Sequence, residues 1–361
     1  MIKILELFGG IGACSSALTK LGIEYEIADY VEIDKYAVKS FNAIHNTNFE
    51  PQDICKWDKD IEVDLIMHGS PCQDFSLAGK QAGGDKDSGT RSSLMYETIR
   101  IVEKLKPKYV IWENVKNLIS KKHRHNFDAY LQTMKQLGYT NYYQVLNAKD
   151  YGIPQPRERV FTISIRKDVN KVFTFPQKQE LKLKLKDMLE DDVDEKYYLS
   201  DKMVNYILDN NDTLNSNIAH TLSVRGAGGC QRAGVSNFII DNYEQEIKVK
   251  DIKMQTNKTT CLNSKGGRNG VEGLQPSLKD RIYDSNGIST CVATSNFFMP
   301  NYTDGLRIRK LTPKECWRLM GFDDVDFEKA EKINSNTQLY KQAGNSICVP
   351  VLMAIFKELI K

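Results

Sequence analysis

The chain has 361 residues, of which 41% are hydrophobic and 27% are charged, a composition typical of a soluble globular protein. At this length we expect two domains, and no apolar run reaches the roughly 18–20 residues of a membrane-spanning helix. Lys and Arg exceed Asp and Glu by 50 to 47, and a net charge of +3 is too small to indicate a nucleic-acid partner. The N-terminus MIKILELFGG lacks a signal-peptide pattern, so we expect a cytoplasmic protein without membrane contact.

Short apolar runs alternate with helical patterns through residues 1–170. Strand IKILELF, helix SSALTKLG, strand YEIADYVE and helix KYAVKSFNAIH come first, and we place the end of a third strand at PQDI. A fourth apolar run, VDLIMHG, precedes a long polar loop, and helix LMYETIRIVEKLKP, strand KYVIWENV and strands in YYQVLNA and VFTISIRK follow. This alternation predicts an α/β fold with a doubly wound, mostly parallel sheet.

The sequence changes character near residue 175, where a charged, irregular stretch begins and residues rich in Asn, Gly, Ser and Thr follow. We therefore predict one domain from residues 1–175 plus 336–361 and a smaller second domain from residues 176–335. The segment QAGNSICVPVLMAIFKELI predicts a final amphipathic helix that packs against the sheet.

Glycines in FGGIG, residues 8–12, follow the first strand, where they allow a tight turn and a close approach by a ligand. Their spacing matches neither a GxGxxG dinucleotide motif nor a P-loop. Glu32 ends the next strand, where an acid can accept both ribose hydroxyls, while Asp53 and Ile54 can hold an adenine. This combination favours an adenosine cofactor without a phosphate site, most commonly S-adenosylmethionine. A structural turn and a solvated acid are the alternatives.

Cys72, in GSPCQ, follows the fourth apolar run at the carboxyl edge of the predicted sheet, where open α/β folds bind ligands. The glycine-rich segment after it is typical of a mobile lid. None of the five histidines has a context that suggests a base for the thiol, and the second cysteine of a zinc deaminase is missing. Glu113 ends strand YVIWE at the same edge, where a buried, protonated carboxyl group can donate to a ring nitrogen.

QPRERV places Gln155, Arg157 and Arg159 at the start of strand VFTISI, with both arginines on one face. These polar side chains are expensive to cover without anionic or polar partners. A solvated edge is the alternative interpretation.

Taken in order, FGGIG, YVEID, PQDI, GSPCQ, WENV, QPRERV, LTPKECWRLMGF and QAGNS resemble the motifs of the DNA cytosine-5 methyltransferases. The resemblance covers nearly the whole chain except residues 177–305. It implies the Rossmann-like fold of S-adenosylmethionine-dependent methyltransferases with a smaller target-recognition domain. It also implies S-adenosylmethionine as cofactor with S-adenosylhomocysteine as product, double-stranded DNA as partner, a monomeric enzyme and, in some systems, a cognate restriction endonuclease.

The resemblance also implies residue roles. Cys72 would attack carbon 6 of a flipped cytosine, Glu113 would engage ring nitrogen 3 and the amino group, and Arg157 and Arg159 would position and polarise the base. The implied cofactor pocket consists of Phe8, Gly10, Ile11, Gly12, Glu32, Ile33, Asp53, Ile54, Pro71, Leu94 and Asn345. The DNA contacts that we predict are Gln73, Ser76, Lys80, Arg91 and Gln155, with Arg225, Arg232 and Arg268 in polar loops of the second domain.

The sequence departs from the family pattern at Ile33, where an aromatic residue commonly follows the acid, and in an extra Gly-Thr before Arg91. A tRNA cytosine-5 methyltransferase shares the motifs, but its insert is usually shorter than this one. A nucleotide-dependent oxidoreductase leaves PCQ and QPRER without a role, and a catalytically inactive DNA-binding module does not need all four catalytic residues. The basic clusters KKHRH (121–125) and RIRK (307–310) either contact phosphates or form a solvated surface.

Overall fold

The computed structural model describes residues 1–70, 94–198, 200 and 308–360, together with short strands at 237–238, 281–282 and 301–303. Leu94 is the one predicted residue of the long loop within that range. The predicted site residues that lie outside the described residues are Pro71, Cys72, Gln73, Ser76, Lys80, Arg91, Arg225, Arg232 and Arg268.

Strands and helices alternate from the N-terminus, as the sequence predicts. The strands of the main sheet are β1 (Ile2–Leu7), β2 (Tyr25–Val31), β3 (Leu65–His68), β4 (Tyr109–Val115), β5 (Tyr139–Asn147) and β6 (Glu158–Arg166). The helices between them are α1 (Ala13–Lys20), α2 (Lys35–His45), α3 (Met95–Leu105) and α4 (Arg124–Gln136). Four short strands, β7 (Asn237–Phe238), β8 (Arg281–Ile282), β9 (Asn301–Thr303) and β10 (Ile308–Lys310), form two further pairs. The last helices are α5 (Pro313–Arg318), α6 (Asp324–Glu331), α7 (Asn336–Asn345) and α8 (Val349–Leu359).

The main sheet has the strand order β2-β1-β3-β4-β6-β5. Strands β1 to β4 pair in parallel, whereas β6 is antiparallel to both β4 and β5. The mostly parallel, doubly wound sheet is thus confirmed, although β6, the strand that QPRERV begins, is antiparallel to both of its neighbours. The chain moves outward from β1 in both directions, so the topological switch point, where open α/β sheets bind ligands, lies beside the carboxyl ends of β1 and β3.

Successive strand residues point to opposite faces of the sheet, and helices cover both faces. Ile4 and Ile111 belong to a core shared with α1, α5 and α8, whereas Leu5 and Val110 belong to a second core shared with α3 and α4. The expected packing of the C-terminal segment on the sheet is confirmed, although the segment forms two helices that are separated at residues 346–348.

Residues that precede and follow the segment 189–310 also belong to the first core. Leu185 and Met188 pack there, as do Leu311, Trp317 and several other residues of 311–330. The predicted second domain of 176–335 therefore includes segments that share the core of the sheet domain.

Two local expectations need correction, and one helix is not predicted by the sequence. PQDI does not end a strand, because Asp53 instead begins a short 3₁₀-helix at Ile54–Lys56. Helix α4 was not predicted from the sequence, since the KKHRH cluster masks its start. In the RIRK cluster, Arg309 is buried and paired with Glu315, so its guanidinium group does not contact phosphates.

Candidate active site

The loops that follow β1 and β3 flank the switch point. The loop after β1 is FGGIG, and the segment after β3 begins with Gly69 and Ser70, which precede Pro71 and Cys72 in the sequence. Because β4 is parallel to β3, its carboxyl end, which carries Glu113, lies at the same edge. The reversed direction of β6 brings its first residues to this edge as well, which explains how Arg159 reaches Glu113.

The FGGIG loop has an unusual backbone. Phe8, Gly10 and Gly12 all have positive φ angles, of 53°, 56° and 81°. Such a conformation costs glycine little, but it is rare for an aromatic residue and indicates local strain. The loop makes a tight turn directly before α1, in which the Gly12 amide donates to the carbonyl of Gly9 over 2.9 Å.

Glu32 follows β2 directly, and two backbone amides fix its carboxylate. Gly10 N–H donates to Oε2 over 3.2 Å, and Asp34 N–H donates to Oε1 over 2.9 Å. Ile33 beside it is 69% exposed, so its aliphatic surface is accessible at this edge. Burial raises the pKa of Glu32.

PQDI reaches the same place without being a strand. Gln52 N–H donates to the carbonyl of Glu32 over 2.8 Å, and the Gln52 side chain donates to the carbonyl of Tyr30 over 2.6 Å. These bonds dock the segment against the end of β2. Asp53 and the buried Ile54 therefore lie next to Glu32, although Asp53 Oδ1 also accepts from the amide of Cys55.

Glu6 lies beside the FGGIG loop, a position that the sequence does not predict. Its buried carboxyl group accepts from the amide of Ser15 over 3.1 Å and from the Ser15 hydroxyl over 2.5 Å, at the first turn of α1. In dinucleotide-binding folds this helix N-terminus binds the pyrophosphate. Because Glu6 already occupies it, the first βα turn fits an adenosine group without a phosphate and disfavours NAD.

Arg159 Nε–H donates to Glu113 Oε1 over 3.0 Å. Their side chains are 17% and 12% exposed. Glu113 lies opposite Phe161 and Arg159 opposite Val115, so the two residues are diagonal neighbours on one face of the β4–β6 pair. Burial raises the pKa of Glu113, and the positive charges of Arg159 and Arg157 partly oppose this effect.

Arg157 and Gln155 point into the protein. The Arg157 guanidinium group donates to the carbonyls of Gly344 and Ser346 over 2.9 and 2.8 Å, and these carbonyls flank Asn345 at the end of α7. Gln155 is 0% exposed and donates to the carbonyl of Leu319 over 2.8 Å. The predicted DNA contact at Gln155 is therefore wrong for this arrangement, because the side chain holds the C-terminal segment against the sheet.

Two residues beside Glu113 hold the backbone that leads to Cys72. Trp112 Nε1 donates to the Ser70 hydroxyl over 2.9 Å, and Asn114 Nδ2 donates to the Ser70 carbonyl over 3.3 Å. The expected pairing of Cys72 with Glu113 stays a prediction, since Cys72 lies outside the described residues. Trp112 and Asn114 are part of WENV, and their position on either side of Glu113 is the signal that could have revealed their role.

Two histidines, His68 and His45, are poor candidates for proton transfer near neutral pH. His68 is fully buried on β3, where burial lowers its pKa to about 3, and burial lowers the pKa of His45 to about 4. Both imidazoles are neutral near pH 7. Among the described residues at this edge, Glu32 and Glu113 are the titratable groups that remain as candidates.

Comparison with known proteins identifies the family. The family described as C-5 cytosine-specific DNA methylase matches residues 2–361. The chain belongs to this family. Its function is accordingly the methylation of cytosine at carbon 5 in DNA, and the recognition made from the motifs is confirmed.

Several bacterial and phage methyltransferases resemble this family member along its whole length. It is 34% identical to the type II methyltransferase M2.ScrFI of Lactococcus lactis subsp. cremoris, with 100% of this chain and 99% of the relative aligned. It is 34% identical to the orphan methyltransferase M.SPRI of Bacillus phage SPR, covering 99% and 97%. Identity to the type II methyltransferase M.HhaI of Haemophilus parahaemolyticus is 32%, covering 98% and 93%.

Solved structures share the fold. DNMT2 of Spodoptera frugiperda aligns with a TM-score of 0.67 and 20% identity, covering 100% of both chains. A putative DNA modification methyltransferase from an E. coli prophage aligns with a TM-score of 0.61 and 19% identity, covering 100% and 99%. At such low identity the likeness shows the fold alone, which is that of S-adenosylmethionine-dependent methyltransferases. Within the described part of the chain, no helix is both long and apolar enough to cross a membrane.

Proposed function

We propose that this DNA cytosine-5 methyltransferase acts on one flipped cytosine within a specific duplex sequence, through a covalent adduct with Cys72. The observation that carries the proposal is the buried Glu113–Arg159 pair at the carboxyl edge, beside a backbone segment that leads into Pro-Cys. A carboxyl group there can engage a cytosine ring while the following loop supplies the thiol.

In the proposed reaction, the Cys72 thiolate adds to carbon 6 and the neutral Glu113 carboxyl group donates to ring nitrogen 3. Electron density thereby reaches carbon 5, and S-adenosylmethionine supplies an electrophilic methyl group when it is bound. Loss of the carbon-5 proton and elimination of the thiolate restore the aromatic ring. Burial favours the protonated form of Glu113 that this role requires, since it raises the pKa of the group. Arg159 holds the carboxyl group in one orientation.

The residues around the FGGIG loop fit the cofactor. Glu32 has its two carboxylate oxygens fixed by backbone amides, with lone pairs left to accept ribose hydroxyls. Asp53 and Ile54 lie beside it for the adenine, and the capped N-terminus of α1 suits a ligand without phosphate. We assign cofactor contacts to Phe8, Gly10, Ile11, Gly12, Glu32, Ile33, Asp53, Ile54, Pro71, Leu94 and Asn345.

DNA recognition is assigned to segments outside the described residues. Arg225, Arg232 and Arg268 would read guanine edges, and Gln73, Ser76, Lys80 and Arg91 would contact the backbone or the vacated stack. We also propose a target-recognition domain that begins after the core residue Met188 and ends near residue 310, because the flanking segments pack on the sheet. Double-stranded DNA is the proposed partner of a cytoplasmic monomer, with a restriction endonuclease as a further partner where one exists.

The Glu113→Gln variant tests the assignment of the general acid. We expect kcat on duplex DNA to fall by about 10²–10⁴-fold, because glutamine cannot transfer a proton. Glu158→Gln is the matched control: Glu158 lies on the same edge in an exposed pair with Lys116, 3.0 Å away, so kcat should stay within about twofold. Equal activity in the Glu113→Gln variant and in the wild type would refute the role of Glu113.

Cys72→Ser tests the nucleophile. We expect the variant to bind S-adenosylmethionine but to lose turnover, whereas the wild type forms a trapped covalent adduct with duplex DNA that carries 5-fluorocytosine. Full activity of Cys72→Ser, or no adduct on a duplex of the correct sequence, would contradict the mechanism. Bisulfite sequencing of DNA from cells that express the chain identifies the target, and parallel assays with tRNA and NAD test the alternatives.

A further inference from the structure

Residues at the end of β2 hold Gly10 of the FGGIG loop through both of its backbone polar groups, the amide and the carbonyl. The Tyr30 hydroxyl donates to the Gly10 carbonyl over 2.6 Å, and the Gly10 amide donates to Glu32 Oε2 over 3.2 Å. Tyr30 is fully buried. Burial raises its pKa, so the hydroxyl group stays protonated and remains a donor at all physiological pH values.

Tyr30 belongs to an aromatic cluster with Phe41 and His45 of α2. The Tyr30 and Phe41 rings are stacked, with centroids 3.8 Å apart and planes at 22°, and the Phe41 and His45 centroids are 4.6 Å apart. The stack packs beneath the loop. A Cβ atom at Gly9 would lie 2.6 Å from Tyr30 Cε2, so the tyrosine ring occupies the space of a side chain there.

The same cluster restricts the other end of the loop. A Cβ atom at Gly12 would lie 2.3 Å from His45 Nε2 and 2.8 Å from Phe41 Cε2. Contacts this short do not occur in real structures, so the loop lies on the aromatic cluster only because Gly9 and Gly12 lack side chains. The position of the loop is therefore set by residues that the motif FGGIG does not contain.

We propose that Tyr30 is a positioning residue for the cofactor, acting through the Gly10 peptide and the Glu32 carboxylate. Glu32 binds the ribose only if its carboxylate is correctly oriented, and the Gly10 amide fixes one of its oxygens. The Tyr30 hydroxyl fixes the carbonyl group of the same glycine. The inference rests on the proposed function for the identity of the ligand, but not for the DNA target.

Tyr30→Phe is the test, because it removes the hydroxyl group and keeps the ring that stacks on Phe41. We expect the Kd and the KM for S-adenosylmethionine to rise about tenfold, which corresponds to about 1.4 kcal/mol. We expect kcat at saturating cofactor to stay within about twofold, since the chemistry at the cytosine is untouched. Calorimetry on the full chain without DNA gives Kd, and a thermal melt verifies the fold.

Tyr25→Phe is the matched control. Tyr25 lies at the other end of β2, where its hydroxyl bonds to Thr19 of α1 over 2.8 Å and not to a residue of the FGGIG loop. We expect no change in cofactor affinity. An equal loss in both variants, or an unchanged Kd in Tyr30→Phe, would overturn the proposal, and so would a fall in kcat with an unchanged Kd.

A double-mutant cycle with Glu32→Gln tests the route. If Tyr30 acts through Gly10 on Glu32, the two losses of affinity should be less than additive in free energy, and full additivity would refute this route. A wild-type protein that binds S-adenosylmethionine but does not methylate DNA would contradict the proposed function and leave this inference standing. A wild-type protein that does not bind S-adenosylmethionine would refute both.

Discussion

Glu315→Gln should strongly destabilise the protein, because Glu315 joins both chain segments that border the insert. The Glu315 carboxylate is fully buried and accepts four hydrogen bonds. Two come from the Arg309 guanidinium group over 2.8 and 2.9 Å, one from the amide of Thr312 over 2.8 Å and one from the amide of Glu190 over 2.9 Å. Arg309 is itself only 4% exposed.

The magnitude follows from this geometry. A glutamine has one acceptor oxygen, so its NH₂ group would face other donors, and the charge of Arg309 would stay buried without its counterion. Breaking a buried ion pair in this way costs about 3–5 kcal/mol. At about 2 °C per kcal/mol for a large domain, we expect Tm to fall by about 8 °C.

Thermal unfolding followed by circular dichroism measures the effect. Lys314→Gln on the same helix is the matched control, since its pairs with Glu328 at 3.2 Å and with Asp324 at 3.4 Å are partly exposed and should each contribute less than about 1 kcal/mol. The double variant Arg309→Met/Glu315→Leu removes both charges and should be more stable than Glu315→Gln alone. A Glu315→Gln protein that melts within about 2 °C of the wild type would refute the reasoning.

Three further predictions concern the loop and its surroundings. Burial raises the pKa of Glu6 to about 7, so the folded protein retains a proton that the unfolded chain releases. Stability should therefore fall as pH rises from about 5 to 7 and level off above that, and Glu6→Gln should flatten this slope in Tm. Gly12→Ala should lose cofactor affinity and stability, because its Cβ would lie 2.3 Å from His45 Nε2. Gly22→Ala has open space around it and should cost only the strain of its positive φ of 65°, about 1–2 kcal/mol. Arg157→Lys loses the paired bonds to two carbonyls at the end of α7 and should raise the KM for S-adenosylmethionine more than it lowers kcat; unchanged KM would contradict this.

Much of the site could be predicted from local sequence. Glycines after an apolar strand, an acid at the end of the next strand and a glutamate in WENV are all short-range signals, and parallel strands bring their carboxyl ends to one edge. Glu32 and Glu113 lie where these signals place them. The position of PQDI was also predicted, but for the wrong reason, because Gln52 docks a loop there instead of a strand.

Other roles depended on contacts between distant residues. Gln155 and Arg157 have the same alternation as Arg159, yet they bond to backbone carbonyls of the C-terminal segment, about 160 to 190 residues away along the chain. The apolar pattern marks Glu6 only as one more residue of a strand, whereas its carboxyl group lies at the first turn of α1. Neither result follows from periodicity, which gives the face of an element but not its partner.

The sequence by itself determined the alternation of strands and helices, the carboxyl-edge location of the site and the family, because these depend on local propensity and on motif order. Tertiary structure alone decided that β6 runs antiparallel and so places Arg159 against Glu113. It also decided that an aromatic cluster from β2 and α2 packs against the glycines of the FGGIG loop. The physical reason is that strand direction and side-chain partners are fixed by burial and hydrogen bonding across the whole core, which no short stretch of sequence contains.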